Sequence, residues 1–571
     1  MRLDKFTIGS DKAPVNDLDK HRFKNLKNVT VDFDEDEWIT VVIGWNGTGK
    51  SNVLEALATL FRDLITGKDE WNNAGKPSFA YVLKYRCHGK EIEINADPDR
   101  SKDAYNIRYR YLNARDAEVT TEQTSLFDES ESQDELNESI SYAKFKNIPD
   151  DFLPRYVFGY YSGHSSRMET VFKPYLEKYD TALRNGVDPG LRRLFYAKPI
   201  HSQFVLLAFM LNQDKFIKDF LNEHLGIDQE EGIDSVLFVL NQPPWKSNAD
   251  DGDPRFWNAR GVVKDFLVKL YDVALAPVRI KRTHQVTMWN KKKLEYLYLY
   301  VKDVESLKEL VGSKTGGEFF RDLESTYVSE LIDEVRIRVK LKKNDGTVIF
   351  RELSEGEQQL LTVLGLLKFT AEDESLFLLD EPDTHLNPKW CVDYISYLNS
   401  FVNSDETKEK NSHIVLTTHN PIAIADLNRK QVQILYRKDE DETRKVFSAL
   451  PEQDPRGMGY GGIITSDMFG LGSSLDKSTT SDLLEMHNLS TKNELSDEEK
   501  IELRDIREKL AKLDFNFASS DRLEREFVRA RFDLAKLDEF DNPIITKENK
   551  EKALEILVKS LLDSLKKGEQ K

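Results

Sequence analysis

Short apolar runs and longer amphipathic stretches alternate along this chain. The runs at 38–43 and 376–379 are apolar throughout or nearly so, and 413–419 is a further strand-like run that ends in a histidine. Such runs predict strands that are buried on both faces of a parallel sheet. The stretches at 52–64 and 360–369 instead have apolar residues at helical spacing. Strands and helices in this arrangement predict an α/β fold.

A glycine-rich segment follows the first of these strands. Its sequence, Gly44-Trp45-Asn46-Gly47-Thr48-Gly49-Lys50-Ser51, has the spacing of a phosphate loop and leads into the predicted helix. Glycines let backbone N–H groups close around phosphate oxygens, and a helix N-terminus adds partial positive charge there. Lys50 would reach the terminal phosphates of ATP, and the Ser51 hydroxyl would bind Mg²⁺. The other predicted ATP contacts are Gly44, Asn46, Gly47, Thr48, Gly49 and Asn52.

Three further segments carry the polar groups that such a site requires. Asp380 and Glu381 end the second strand, where Asp380 can hold Mg²⁺ and Glu381 can orient and deprotonate the attacking water. Ser354 and Gly356 begin a predicted helix, and a small hydroxyl residue with bare backbone at a helix start favours anion binding. His419 ends the third strand and could contact the γ-phosphate.

These four segments resemble the Walker A, signature, Walker B and histidine-switch motifs of ATP-binding cassette ATPases of the SMC, Rad50, RecF and OLD kind. They also occur in the same order, and 381–388 looks like the D-loop form of that group. The signature has Glu355 in place of the first glycine of the commonest form. The resemblance implies catalytic roles for Lys50, Glu381 and His419. It also implies a homodimer, or a higher homo-oligomer, because the signature of one head closes over the nucleotide held by another.

The composition narrows the classes of function. With 82 Lys and Arg against 100 Asp and Glu, the net charge of −18 excludes the basic balance of a protein that coats nucleic acid. Cys87 and Cys391 lie far apart without metal-ligand spacing, which predicts a reducing compartment. No apolar run approaches transmembrane length, and the first residues lack a signal-peptide pattern. We therefore expect a cytoplasmic protein without membrane attachment.

The separation of the motifs predicts the domain plan. Because the phosphate loop and the signature must meet in one fold, the ATP-binding cassette head is expected to be split into an N-terminal lobe at 1–165 and a C-terminal lobe at 331–450. A compact, mainly helical insertion without long heptads is expected at 166–330. Residues 451–571 are expected to form a linker and an α-helical region that docks a partner.

The sequence also predicts the local structure of several shorter segments. The acidic segment 128–135 predicts a solvated loop, and the glycine-dense segment 455–462 predicts another loop. The segment 153–163 fits either the glutamine loop of the resembled ATPases or an ordinary strand followed by a turn. Two later helices are expected within 523–537 and 553–565. An earlier helix is indicated by apolar residues at alternating spacings of three and four, which are Leu503, Ile506, Leu510 and Leu513.

Two basic segments have alternative interpretations. Apolar and cationic residues alternate in 335–342, so one strand face would pack inward while the other carries Arg336, Arg338, Lys340 and Lys342. Cations and aromatic residues are also interleaved within 279–298. Either segment could contact a nucleic acid, or it could form an ordinary solvated surface.

The C-terminal region separates the functional alternatives. It lacks the strand-borne glutamate and Asp-x-Asp of a TOPRIM nuclease, and the chain has no His-Asn-His constellation. The segments 23–29 and 496–531, and the overall length, resemble the PtuA-like ATPases of Septu and retron systems. That resemblance implies a sensor and regulatory subunit in antiphage defence. Its partners would be a separate PtuB-like HNH nuclease and, in retron versions, a reverse transcriptase with its multicopy single-stranded DNA.

The sequence-based hypothesis is therefore an ATP-driven switch. ATP and Mg²⁺ would bridge two heads, and hydrolysis would release or restrain a nuclease held by the helical tail. One alternative is a DNA-repair or DNA-clamp ATPase of the RecF or SMC kind, which would use the basic faces and need no nuclease partner. Another alternative is an autonomous OLD-like nuclease, which would cut DNA without a partner.

Overall fold

The computed structural model describes most of the chain as far as residue 513. The described ranges are 1–12, 19–34, 36–112, 138–163, 165–211, 214–228, 232–247, 249–285, 291–341, 347–370, 374–402, 412–440, 443–490, 492 and 495–513. The predictions for the acidic segment 128–135 and for the helices within 523–537 and 553–565 concern residues outside these ranges.

Eighteen strands and thirteen α-helices lie in the described ranges. The strands are β1 (Arg2–Ile8), β2 (Val29–Asp32), β3 (Ile39–Gly44), β4 (Tyr81–Cys87), β5 (Lys90–Ala96), β6 (Tyr105–Tyr111), β7 (Glu138–Ile140), β8 (Tyr156–Tyr161), β9 (Leu194–Tyr196), β10 (Ile233–Asn241), β11 (Val278–Gln285), β12 (Lys291–Val301), β13 (Ile332–Lys340), β14 (Thr347–Ile349), β15 (Ser375–Asp380), β16 (Ser412–Thr417), β17 (Val432–Glu440) and β18 (Thr443–Ala449). The helices are α1 (Lys50–Thr66), α2 (Tyr142–Asn147), α3 (Arg167–Arg184), α4 (Ile200–Met210), α5 (Lys215–His224), α6 (Gly261–Val273), α7 (Val304–Val311), α8 (Gly316–Val328), α9 (Glu355–Thr370), α10 (Pro388–Val402), α11 (Gly459–Thr465), α12 (Lys477–Ser490) and α13 (Asp497–Lys512). This mixture confirms the predicted α/β class.

A seven-stranded sheet contains the three strands predicted to be buried. Its order is β18-β17-β3-β16-β15-β8-β9, and every neighbouring pair is parallel except β17 with β18. Alternate residues enter two different apolar cores. Val41 and Phe377 belong to one core, whereas Val42 and Leu378 belong to the other. The near-continuous apolar runs are explained by this burial on both faces.

The helix after the glycine-rich segment packs on this sheet. α1 contacts β3, β8, β15 and β16. Its apolar side chains share one core with residues of the seven-stranded sheet and of a second, antiparallel sheet in the order β2-β1-β4-β5-β6-β7. Burial on nearly all sides holds α1, and hence the segment at its N-terminus, in a fixed position.

A third sheet joins two regions that the domain plan separated. Its antiparallel order is β11-β12-β10-β13-β14, so strands from the predicted insertion at 166–330 pair with strands from the predicted C-terminal lobe. The insertion contains α3 to α8 and is mainly helical, but it also supplies three strands of this sheet. The boundary at residue 330 therefore runs through a continuous sheet.

The chain divides into two compact units, Met1–Leu471 and Gly472–Lys571. The predicted loop at 455–462 is only partly correct, because α11 begins at Gly459 and its Ile463 packs into the core of the first unit. The first unit therefore extends beyond residue 450. In the second unit, α13 confirms the predicted apolar stripe, with Leu503, Ile506 and Leu510 buried against apolar residues of α12, whereas Leu513 is exposed. None of the helices in the described ranges has the length and apolar character needed to cross a membrane.

Candidate nucleotide site

The predicted phosphate loop connects β3 to α1, which is the strand, loop and helix order that the pattern requires. The N-cap residue of α1 is Gly49, with φ of 107°, and no side chain caps this helix or places an acid in its first turn. Some other helix starts differ, since Asp214 caps α5, Asp303 caps α7 and Thr315 caps α8. The first N–H groups of α1 therefore remain available to an anion.

Glycines in this loop are required by close backbone approach. A Cβ on Gly44 would lie 2.3 Å from the carbonyl oxygen of Leu435, and its φ is 147°. A Cβ on Gly49 would lie 2.9 Å from the Oδ1 atom of Asn25. The loop thus presents backbone rather than side chains, as a cradle for phosphate oxygens needs.

The two predicted metal ligands contact each other directly. The Ser51 hydroxyl donates a hydrogen bond of 3.0 Å to Oδ1 of Asp380, although the residues are far apart in sequence. Asp380 also accepts a hydrogen bond of 2.5 Å from the Thr417 hydroxyl. Hydroxyl and carboxylate oxygens are the hard ligands that Mg²⁺ prefers, so this pair fits the predicted cation.

The charges around this pair favour bound phosphate and a cation. Lys50 is buried and donates a hydrogen bond of 2.8 Å from Nζ to the carbonyl oxygen of Gly44. Burial lowers the pKa of Lys50, while Glu381 and Asp380 oppose that shift. Burial raises the pKa of Asp380, and the hydrogen bonds from Thr417 and Ser51 oppose the rise. Phosphate oxygens would stabilise the charged lysine, and a divalent cation would stabilise the ionised carboxylate.

Glu381 lies at the mouth of this cluster in a strained backbone conformation. Its φ is 52°, in the left-handed region, and its N–H donates to both the carbonyl and the hydroxyl oxygen of Thr417 at 3.1 Å. The Nδ1 atom of His419 lies 3.2 Å from Oε1 of Glu381. His419 is 58% exposed and Glu381 is 28% exposed at the side chain, so substrate and water can reach both groups. The conformation turns the carboxylate away from the strand and towards the histidine.

The predicted signature residues lie at the start of α9. The Ser354 hydroxyl accepts a hydrogen bond of 3.2 Å from the N–H of Glu357, and both the hydroxyl and the N–H of Ser354 donate to the Glu357 carboxylate. A Cβ on Gly356 would lie 2.5 Å from the carbonyl oxygen of His385. In the described part of the chain, no hydrogen bond or ion pair connects Ser354 to the phosphate loop. The structure therefore brings together five of the predicted residues, which are Lys50, Ser51, Asp380, Glu381 and His419. The signature lies instead against the segment 381–388.

The segment 153–163 forms a strand followed by a turn. It lies beside β15, the strand that ends at Asp380. β8 runs parallel to β15, with Tyr161 opposite Asp380. Beyond β8, the N–H of Ser162 donates to the carbonyl oxygen of Asp380 at 3.2 Å, and its hydroxyl lies 3.2 Å from that of Thr384. Thr384 in turn donates to the carbonyl oxygen of Glu381 at 2.9 Å. These contacts fix the backbone on which both carboxylates are placed.

Sequence reasoning missed three residues of this site. Thr417 lies inside a predicted strand, and its contact with Asp380 follows from the parallel register of β15 and β16. The Asn25 side chain donates to the carbonyl oxygen of Thr48 at 3.0 Å and accepts from Asn52 at 2.6 Å. The Arg437 guanidinium donates to the carbonyl oxygen of Gly47. Only Asn25 had a signal in the sequence, as part of the segment 23–29.

Two family models match this chain. Residues 22–183, which include the phosphate loop, match the model described as "AAA ATPase domain". Residues 301–425, which include the signature, the carboxylate pair and His419, match the model described as "AAA domain, putative AbiEii toxin, Type IV TA system". Each model covers less than half of the chain. Both matched regions contain predicted site residues.

Three relatives are similar to parts of the chain. Over 202 residues it is 26% identical to the Septu protein PtuA of Bacillus mycoides (strain KBAB4), which covers 33% of this chain and 27% of that protein. Over 131 residues it is 27% identical to the "Retron Vc95 probable ATPase" of Vibrio cholerae (serotype O1 biovar El Tor), covering 20% of this chain and 24% of the relative. Over 86 residues it is 29% identical to the "Probable peptide export ATP-binding protein YydI" of Bacillus subtilis (strain 168), covering 15% and 40%. The chain thus spans about a quarter to two fifths of the length of these relatives.

The matches and the site agree on the class of protein. Two regions of the chain are similar to AAA-type ATPase domains. More particularly, parts of it are similar to the Septu protein PtuA and to a retron ATPase.

Proposed function

We propose that this chain is the ATP-hydrolysing regulatory subunit of an antiphage defence system of the Septu or retron type. The observation that carries the proposal is the cluster of Lys50, Ser51, Asp380, Glu381 and His419 at the uncapped start of α1. The similarity to a Septu protein and to a retron ATPase supports the biological setting. The switch would operate in the cytoplasm.

The residues of the cluster divide the chemistry between them. Lys50 and the N–H groups of α1 neutralise the phosphates of ATP. Ser51 and Asp380 hold Mg²⁺, which, when bound, neutralises charge on the phosphate oxygens. Glu381 orients the attacking water and takes its proton. His419, hydrogen-bonded to Glu381 at 3.2 Å, positions that carboxylate. Its side chain is exposed and would be free to contact the γ-phosphate.

Two copies of the chain are proposed to complete each ATP site. Ser354 and Gly356 have no hydrogen bond to the phosphate loop of their own chain among the described residues, and both lie at a helix start. Their counterparts from a second copy would approach the γ-phosphate. The result is a homodimer with two identical composite sites, as expected for an isologous interface.

A mixing experiment tests this arrangement. Lys50→Ala and Ser354→Ala chains are each expected to be inactive as homodimers. A heterodimer restores one composite site, so an equal mixture should regain about one quarter of the wild-type ATPase rate if chains assort randomly. Mixing Lys50→Ala with Glu381→Gln, which both damage the same side of the site, is the matched control and should regain nothing. Absence of recovery in the first mixture would show that Ser354 does not act across the interface.

The second compact unit is proposed to hold the partner. It carries large apolar side chains that are exposed, which are Leu475, Leu484, Ile501 and Leu513. Exposed apolar side chains of this size are candidates for a protein interface. The proposed partner is an HNH nuclease and, in a retron system, a reverse transcriptase with its single-stranded DNA. Hydrolysis would then change the spacing of the heads and release or restrain the nuclease.

Co-expression with the adjacent small gene tests the partner. The proposal expects a stable complex that cuts nucleic acid only when both chains are present and whose cutting depends on ATP. If no partner binds and this chain alone binds DNA in an ATP-dependent manner, the clamp alternative is correct. If purified chain alone cuts DNA with Mg²⁺, the nuclease alternative is correct.

A further inference from the structure

The two basic segments that the sequence singled out lie on one face of the third sheet. In β10, Leu237 is opposite Tyr300 of β12 and Arg336 of β13. Across the next pair, Tyr298 of β12 is opposite Val278 of β11. Residues that are directly opposite point to the same side of a sheet. We call this side the cationic sheet face, and it carries Ile280, Arg282, Tyr298, Tyr300, Arg336 and Arg338.

The two sides of this sheet have different environments. Phe238, Leu299 and Ile337 on the opposite side are fully buried, in the same apolar core as Val41 and Phe377. On the cationic sheet face, Ile280 is 40% exposed and Tyr300 is 37% exposed. A sheet with one buried side usually shows polar residues on the other side, so exposed apolar and aromatic groups there indicate a binding surface.

Positive charge on this face exceeds the available carboxylates. Arg336 and Arg351 both pair with Glu334, each at 2.8 Å. Arg282 lies over the ring of Tyr298, 5.0 Å from its centroid. Within the ranges that the structure covers, Arg282, Arg338 and Lys340 form no ion pair, and all three are exposed. Two further carboxylates, Asp234 and Asp333, lie at the bulges of the β10–β13 pairing. Lys342, the fourth cation predicted for this strand, is outside the described residues.

The cations together with the exposed aromatic and apolar side chains favour one kind of polyanion over others. The chain as a whole has a net charge of −18, so a local excess of cations provides specific charge complementarity. Side chains on one face of a strand repeat about every 6.7 Å, which brings several of them into contact with one extended polymer. Aromatic rings stack on bases only where the bases are unpaired, whereas an acidic peptide would use the cations and leave the rings without a role.

We propose that the cationic sheet face binds single-stranded nucleic acid. Arg282, Arg336, Arg338 and Lys340 contact the phosphates, and Tyr300 and Ile280 contact the bases. This contact does not depend on the ATP site or on the choice of nuclease partner. It also assigns one role to two segments that were separate in the sequence.

Fluorescence anisotropy with a labelled 20-nucleotide oligothymidylate tests the proposal. Arg336→Glu/Arg338→Glu is expected to weaken binding at least tenfold and to lower the salt slope by about 1.4, or 0.7 per lost phosphate contact. Tyr300→Ala is expected to weaken binding about tenfold with an unchanged salt slope. The milder variant Arg338→Gln/Lys340→Gln should lower the slope without reversing charge beside Glu334.

The matched control is Lys269→Glu/Lys308→Glu, which reverses two exposed cations on α6 and α7 and should bind as the wild type does. Nucleotide binding at Lys50 reports whether each variant is folded. The proposal is overturned if the wild type does not bind the oligonucleotide or if face and control variants lose affinity equally. It is also overturned if duplex DNA binds as tightly as the single strand, or if only an acidic peptide such as polyglutamate competes.

Discussion

The N-termini of α1 and α9 are both predicted phosphate sites, yet their hydrogen bonds differ. α1 begins at a glycine in the left-handed region and has no side-chain cap. α9 begins with a complete capping box, in which the Ser354 hydroxyl and N–H are both bonded to the Glu357 carboxylate. A phosphate can bind at α1 without displacing a side-chain cap, whereas at α9 it must compete with Glu357. We therefore expect ATP to bind first at α1 and to engage α9 only in a second step.

The largest combined effect on ATP binding and hydrolysis is expected when the phosphate loop at the start of α1 loses its lysine. Lys50→Ala should lower the ATPase rate by at least about a hundredfold and weaken ATP binding, because the buried ammonium group no longer neutralises the phosphates. Steady-state hydrolysis and equilibrium binding of a fluorescent ATP analogue measure the two effects. Lys68→Ala, just beyond the far end of the same helix, is the control and should change neither quantity.

A change at the carboxylate should separate binding from hydrolysis. Glu381→Gln is expected to lower the rate by about a hundredfold to ten-thousandfold, since the amide cannot take a proton from water. ATP affinity should remain within a few-fold of wild type, so the variant should accumulate in the ATP-bound, two-headed state. Single-turnover kinetics and light scattering measure these properties. An equal loss of affinity and rate would contradict the assignment of Glu381 as the base.

A methyl group added to the phosphate loop at Gly49 should weaken phosphate binding. Gly49→Ala forces a left-handed φ on alanine, which costs about 1–2 kcal/mol, and its Cβ meets Asn25. We expect about a tenfold loss in ATP affinity. Gly312→Ala is the matched control, because Gly312 also has a positive φ of 61° but no atom lies within 4 Å of its Cβ position. Thermal unfolding should show similar destabilisation in both variants, whereas only Gly49→Ala should lose affinity.

The smallest effect on stability is expected at the capped N-terminus of α9. It separates the capping role of Ser354 from its proposed role in ATP hydrolysis. Ser354→Ala removes an N-cap and should cost about 1 kcal/mol of unfolding free energy. Ser496 forms the same capping box with Glu499 at the start of α13. Ser496→Ala should cost a similar amount and leave ATP hydrolysis unchanged, whereas Ser354→Ala should also leave the homodimer inactive. If Ser354→Ala leaves ATP hydrolysis as unchanged as Ser496→Ala does, then Ser354 acts only as a helix cap.

Local patterns predicted the parts of the site that depend on neighbouring residues in sequence. The phosphate loop, the carboxylate strand and the helix of Leu503 all appear where spacing placed them. The contacts of Thr417 and Arg437 were not predictable, because they depend on strand order and register. The capping box was visible as Ser354-x-x-Glu357, but the same residues also fitted an anion site. Among the insertion strands, β11 gave no buried-face signal, because its residues 278–283 are exposed on both sides of the strand.

The chain between β14 and α9 gives the third sheet a mechanical role. Only the 3-10 helix Phe350–Glu352 and Leu353 separate the end of β14 from Ser354. Phe350 is fully buried and Arg351 is tied to Glu334 on β13, so this connection has little slack. A displacement of the third sheet would therefore also move the first residues of α9. Lengthening this segment by a few glycines would uncouple the two while leaving each intact.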